Sequence, residues 1–225
     1  MTEPVLERPA PAVVTRPLLI GSPAPSFSTR TTMGKRSLDD YRGRWLVFFS
    51  HPADFTPVCT SEFVAFSKAY QRFQAVGCDL LALSVDSLYS HIAWVRSIHE
   101  RFGVTVPFPI TEDPSMAIAA AYGMIHPDAA DSSTVRATFV IDPDGLIRAM
   151  VWYPMSTGRS VEEILRLVEA LQISDREAVS TPEGWRHGDA VIEPAPITVD
   201  ALRDSDPSGD TLDWYYRLRK LGGGA

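Results

Sequence analysis

The residues best able to do chemistry stand close together: Pro52, Thr56 and Cys59, inside His51-Pro52-Ala53-Asp54-Phe55-Thr56-Pro57-Val58-Cys59-Thr60-Ser61-Glu62. Cysteine is a nucleophile chiefly as its thiolate, which a positive neighbour or a helix start stabilises. If Thr56 is an N-cap and Pro57 the first helical residue, Cys59 falls in the first turn. There it lies beside backbone N–H groups that lack intrahelical partners and at the positive end of the helix dipole. Cys78, by contrast, directly precedes an apolar run and reads as a small buried core residue.

Such a placement needs a strand before the loop and a helix after it. Trp45-Leu46-Val47-Phe48-Phe49 is the continuous apolar run of a strand buried on both faces, and Phe63, Phe66, Tyr70 and Phe73 recur at helical spacing. Gly77 ends that helix, and residues 79–85 form a second buried strand. Leu88, Ile92, Val95 and Phe102 mark an amphipathic helix with Ser87 as its cap and Gly103 past its end. Strand, helix, strand, helix in this order favours parallel pairing and an α/β layer fold. Further on, 116–122 reads as a short helix. Residues 137–141 and 146–152 read as strands joined by the turn Asp142-Pro143-Asp144-Gly145, and 161–171 as a closing helix. From about Ser174 the periodicity weakens, with Pro182, Pro194, Pro196 and Pro207 among polar residues. No internal repeat is present.

The Pro52, Thr56, Cys59 spacing resembles the Pro-x-x-x-Thr-x-x-Cys signature of the peroxiredoxins (AhpC/TSA family), and more narrowly their one-cysteine branch typified by peroxiredoxin 6. Other stretches resemble the same branch in the same order: His51 before the proline, Asp86-Ser87 followed by His91-Ile92-Ala93-Trp94, and Pro107-Phe108-Pro109-Ile110. Later come Arg136 entering Phe139-Val140-Ile141, Tyr153-Pro154, Thr157-Gly158-Arg159 leading to Glu163-Ile164-Leu165-Arg166, and Thr181-Pro182 followed by Trp185. The resemblance implies a thioredoxin-like fold, which periodicity alone does not select among α/β folds. It also implies a small C-terminal dimerisation subdomain. The expected organisation is an N-terminal extension over 1–17, a peroxidase domain over 18–173 and the C-terminal subdomain over 174–225.

The same resemblance supplies roles. Cys59 would attack the terminal oxygen of hydrogen peroxide or an alkyl hydroperoxide, giving a sulfenic acid. Thr56, a helix cap on its own reading, would hydrogen-bond the peroxide and the sulfur. Pro52 would shield the thiolate, and Arg136 would stabilise the thiolate and the developing oxyanion. His51, Glu62 and Arg159 are supporting residues: His51 reads as a strand-end polar group or a proton handler, Glu62 as a first-turn acid or a member of an arginine network. Arg159 reads as a second pocket arginine or a solvated helix start. No cysteine follows Cys78, so the C-terminal resolving cysteine of two-cysteine relatives is absent, and an external thiol (thioredoxin, glutathione or another small thiol) is the expected reductant.

Composition narrows the alternatives. A net charge of −7 and a pI near 5.2 argue against an extended nucleic-acid surface. Residues 1–17 lack a basic leader followed by an apolar core, and no later segment approaches membrane-span length, so a cytoplasmic location without membrane partners is expected. His91, His99, His126 and His187 show no metal-ligand spacing, and no glycine-rich phosphate loop occurs, so neither metal nor other cofactor is expected. The phospholipase serine of some peroxiredoxin 6 relatives has no counterpart in Tyr41-Arg42-Gly43-Arg44-Trp45, and no Gly-x-Ser-x-Gly occurs anywhere. A thioredoxin-type disulfide reductase would need Cys-x-x-Cys, and Thr56 occupies the first cysteine's place. An oligomeric chaperone or peroxide sensor stays open as a further role. The expected assembly is a homodimer or a larger ring.

Overall fold

The structure, a computed structural model, describes residues 17–125, 133–203 and 211–221. The expected strand after Arg44 forms as β3 (Trp45–Ser50), preceded by a hairpin of β1 (Ser28–Thr31) and β2 (Gly34–Ser37). Next come α1 (Pro57–Ala75), β4 (Cys78–Ser84), α2 (Leu88–Phe102), β5 (Ile110–Glu112) and α3 (Ala117–Ala121). The hairpin β6 (Arg136–Ile141) and β7 (Ile147–Tyr153) and the helix α4 (Val161–Glu177) complete the main layer. Together the strands make one seven-stranded sheet in the order β2-β1-β5-β4-β3-β6-β7. The central β5-β4-β3 pairs are parallel, as alternating strands and helices require, and β6 and β7 add antiparallel to β3.

Both faces of β3 are buried because alternate side chains enter different cores. Val47 and Phe49 join Phe63, Phe66 and Phe73 of α1, Trp94 and Ile98 of α2, and Ile164, Leu165 and Val168 of α4. Leu46 and Phe48 face Phe27, Tyr122, Phe139 and Ile147. This is the thioredoxin-like α/β arrangement, with α1, α2 and α4 on one face of the sheet. The expected punctuation also holds: Ser87 Oγ accepts from the Ser90 N–H at 3.3 Å, Gly103 takes φ +65°, and Gly145 closes the β6–β7 turn at φ +74°.

The closing helix runs to Glu177, so the expected division at 173/174 falls inside α4. Beyond it, Val179, Trp185 and Val191 pack on Ala170 and Ile173 of α4. A second sheet of β8 (Val191–Ile192), β9 (Thr211–Asp213) and β10 (Tyr216–Arg219) follows, with α5 (Val199–Arg203) between β8 and β9. The expected extension over 1–17 lies outside the described residues save for Pro17, as does His126. Among the described residues no helix is long and apolar enough to cross a membrane.

Candidate active site

Thr56 is the N-cap of α1 and Pro57 its first residue, so Cys59 stands in the first turn, where amides lack intrahelical partners. The Thr56 hydroxyl does not cap the helix. It donates to the Ala53 carbonyl at 2.9 Å, bracing the loop between β3 and α1. Pro52 is buried in that loop and Cys59 is completely buried.

Arg136, the first residue of β6, reaches across to this turn. Its Nη1 donates to Cys59 Sγ at 3.3 Å and to Glu62 Oε2 at 2.8 Å, while Nε and Nη2 donate to the Met155 carbonyl at 3.0 and 2.9 Å. These four bonds engage Nε and both terminal nitrogens of the fork, which fixes its plane. Glu62, one turn along α1 from the cysteine, also accepts three bonds from Arg159: the backbone N–H at 2.7 Å, Nε at 2.9 Å and Nη2 at 2.7 Å. Burial would raise the Glu62 carboxyl, but the hydrogen bonds and charge of Arg159, with the charge of Arg136, hold it below the usual carboxylate range. Arg159 is buried over Phe49, not a solvated helix start, and its Nη1 donates to the Ala137 carbonyl at 3.1 Å. The arginine network is therefore a buried chain, Cys59–Arg136–Glu62–Arg159, with the sulfur at its end. The sulfur is thereby in direct hydrogen-bond contact with a buried, firmly held guanidinium.

His51 follows β3 directly and turns away from this chain. Its Nε2 pairs with Asp54 Oδ1 at 2.9 Å, and His91 Nδ1 of α2 pairs with Asp54 Oδ2 at 2.8 Å. Sequence reasoning assigns Asp54 and His91 no role, because the two lie 37 positions apart and join only when α2 packs beside the loop. Burial lowers the His51 imidazole below its ordinary value, and the two ring bonds hold Asp54 far below the carboxylate range against the opposing effect of burial. Behind the loop, Thr134 Oγ1 donates to the His51 carbonyl at 2.7 Å and Ser50 Oγ to the Val135 carbonyl at 2.6 Å, tying β3 to the entry of β6.

Cys78 begins β4 opposite Trp45, at the other end of β3 from the loop. It is buried and burial pushes its thiol well up, consistent with a core residue. From Cys59 to the end of α1 the helix spans roughly 24 Å at about 1.5 Å per residue, so the two sulfurs sit at opposite ends of the sheet.

A buried cysteine at a helix start, under an arginine on a neighbouring strand of a thioredoxin-like sheet, defines a thiol-based redox enzyme. Comparison with known proteins makes this specific. Residues 20–150 match the AhpC/TSA family and residues 170–204 match the C-terminal domain of 1-Cys peroxiredoxin. The peroxiredoxin of Aquifex aeolicus is 49% identical over 221 residues, covering 93% of this chain and 99% of the relative. Peroxiredoxin 2 of Thermoplasma acidophilum is 47% identical, covering 89% of this chain and 100% of the relative. Among solved structures, a yeast mitochondrial 1-Cys peroxiredoxin, studied for thiol resolution via glutathione/thioredoxin systems, superposes with a TM-score of 0.82 at 39% identity, covering 91% of this chain and 100% of that one. Peroxiredoxin 6 of Arenicola marina, as a cysteine-to-serine mutant, gives 0.80 at 32% identity, covering 92% and 100%. The chain belongs to the AhpC/TSA family of peroxiredoxins, in its one-cysteine branch, and is a thiol-dependent peroxidase of the antioxidant class.

Proposed function

We propose that Cys59 is the peroxidatic residue and that the enzyme reduces hydrogen peroxide and alkyl hydroperoxides by a one-cysteine cycle. The observation that carries this reading is the 3.3 Å contact from Arg136 Nη1 to Cys59 Sγ in the first turn of α1. The thiolate attacks the terminal peroxide oxygen, the O–O bond breaks, and the leaving alkoxide or hydroxide takes a proton to give alcohol or water. Cys59 is left as a sulfenic acid. Arg136 carries the charge as it moves from sulfur to the leaving oxygen, Thr56 orients the peroxide with the hydroxyl lone pairs that its bond to Ala53 leaves free, and Pro52 keeps water from the sulfur. Glu62 and Arg159 hold the guanidinium in place.

An external thiol completes the cycle. Cys78 is buried at the far end of β3, too far for the Cα separation of under about 7 Å that a disulfide needs. One thiol condenses with the sulfenic acid to a mixed disulfide and water, and a second releases Cys59 and a disulfide. A small thiol, glutathione or a thioredoxin all satisfy this chemistry. The exposed Trp214 and Tyr215 in the turn between β9 and β10 support a homodimer in which the C-terminal sheet meets a second subunit.

Peroxide decay with excess dithiothreitol, together with mass spectrometry of peroxide-treated protein, tests the reading. Cys59→Ser should abolish turnover and Cys78→Ser should retain it. One equivalent of peroxide should give a trappable sulfenic acid on Cys59, and excess should give sulfinic and sulfonic acids. Equal loss in both variants, or a dominant Cys59–Cys78 disulfide, overturns it.

A further inference from the structure

Cys59 has no exposed surface, and the two substrates of the cycle meet that fact differently. A hydroperoxide needs room for two oxygens beside the sulfur. The thiol in Cys59–SOH + RSH → Cys59–S–S–R + H₂O must bring its own sulfur and carbon skeleton to the same atom, forming an S–S bond as the S–O bond breaks. The groove beside the loop, about 390 Å³ between Phe55, Thr56, Trp94 and Phe102, does not include Cys59 in its lining. The loop must therefore move for the second half of the cycle.

That loop is fastened by groups the peroxide chemistry does not use. Asp54, with a side chain only 1% exposed, holds His51 at the end of β3 and His91 on α2. Its backbone N–H donates to Asp86 Oδ2 at 3.0 Å, and Asp86 accepts from Ser84 Oγ at 2.7 Å, so one loop residue is tied to β3, α2 and the β4–α2 turn. The remaining acidic group near His91, Glu112 of β5, is already taken by Arg30 and by the Leu88 N–H at 3.0 Å. The next loop residue, Phe55, is 58% exposed and sits at φ +56°, a region that bulky residues seldom enter. Its neighbours hold it there, so releasing Asp54 gives the backbone a reason to relax.

The protonation pattern is also fixed. His51 Nδ1 and His91 Nε2 are buried without partners. A proton on either would be an unpaired buried donor, so each ring keeps its proton on the nitrogen facing the Asp54 carboxylate. The three potential ligand atoms lie within 4.8 Å of one another, a spacing compatible with a metal ion. A ligating imidazole, however, almost always donates its other N–H to an acceptor, and neither ring has one.

We propose that His51–Asp54–His91 is the latch of the catalytic loop. Closed, it holds Thr56 and Cys59 against Arg136 for peroxide; released, it admits the reducing thiol. Asp54 and His91 are positioning residues, acting through the backbone of residues 52–59. The assignment rests on the one-cysteine reading above, but its test needs no peroxide and separates the two.

In a Cys78→Ser background, Cys59 of the reduced full-length protein is alkylated with N-ethylmaleimide. Asp54→Asn and His91→Leu should raise that rate at least tenfold, about 1.4 kcal/mol on the opening equilibrium. The same variants should slow oxidation by hydrogen peroxide and lower the KM for dithiothreitol. His91→Asn, whose amide N–H can occupy the place of imidazole Nδ1, should return all three values to within about threefold of the parent. In the parent, amide hydrogen exchange over 53–60 should be faster than in β3 and should track alkylation, which keeps the idea testable if a variant fails to fold. Alkylation unchanged in both folded variants, no rescue by asparagine, or exchange of 53–60 only at the global unfolding rate overturns the latch. Protection from alkylation by equimolar zinc that disappears in His91→Leu would make the cluster a metal site and overturn it too. A protein that alkylates as expected but consumes no peroxide refutes the function and leaves the latch standing.

Discussion

Replacing Arg136 by methionine isolates what the guanidinium does for the sulfur. The charge lies 3.3 Å from Cys59 Sγ. At an effective dielectric of about 20 that separation corresponds to roughly 5 kcal/mol of attraction for a full negative charge on sulfur. Only part of it acts on the reaction, because the reactant thiolate is stabilised as well as the transition state. The differential share should resemble the loss of one preorganised oxyanion donor, about 3–4 kcal/mol, or roughly 10²–10³ in rate. The fold should survive, since Glu62 keeps its three bonds from Arg159 when its bond to Arg136 at 2.8 Å is lost. Arg136→Lys should fall between: it restores the charge but cannot make the paired bonds to the Met155 carbonyl that fix the fork. The assay is single-turnover oxidation of reduced enzyme by hydrogen peroxide, with thermal unfolding as a control. If Arg136→Met keeps its fold and reacts within threefold of the parent, the contact contributes nothing to the rate.

Three further outcomes are expected. Glu62→Gln should lower the peroxide rate less than Arg136→Met yet lower stability more, because it leaves two buried guanidinium groups facing a neutral amide; urea unfolding and the single-turnover rate are the checks, and the reverse order would count against it. Stability should fall on acidification in two windows, since every shift has the same sign. The lowered His51 loses its contribution as pH drops from about 6.5, and the lowered Asp54 and Glu62 lose theirs below about 4.5, so a melting temperature flat from pH 7.5 to 3 would contradict the buried pairs. Trp185→Ala, which empties the contact between the C-terminal segment and α4, should cost about 3–5 kcal/mol in urea unfolding, whereas a loss under 1 kcal/mol would mean the segment packs independently.

The parts of the fold legible in the sequence are those where one residue pattern has one physical reading. Trp45–Phe49 can be apolar throughout only if both faces are covered, and α2 carries its own start in Ser87 and stop in Gly103. The β1–β2 hairpin is not legible, because Ser28-Thr29-Arg30-Thr31 lies toward a sheet edge and has no apolar alternation to betray it. β5 has three residues, too few for periodicity, and is visible only as part of a family resemblance. The C-terminal sheet is hidden by prolines and polar residues, and its anchor is not a repeating pattern but the single buried Trp185. The end of α4 reads too early because Ser174, Asp175 and Arg176 look like a loop; Arg148 pairs with Asp175 at 2.6 and 2.7 Å and ties that last turn to β7.

The site divides the same way, and the division follows from how many elements each group needs. Cys59 and Thr56 are legible because a helix start is a local event, written in adjacent residues. Arg136 is 77 positions from the sulfur, and only the resemblance links them. For Arg159 the residue type points to solvent, yet four acceptors, the two Glu62 oxygens on α1 and Ala137 O and Thr138 Oγ1 on β6, are arranged to take a buried charge. Asp54 is the sharpest case. It lies inside the motif, but its carboxylate meets its two histidine partners only after β3, β4 and α2 have packed. A buried carboxylate bonded to two histidine rings on either side of it holds the segment that carries it. Here that segment carries Cys59, the sulfur we propose as peroxidatic, which in the proposed cycle accepts a small oxidant and a larger reductant in turn.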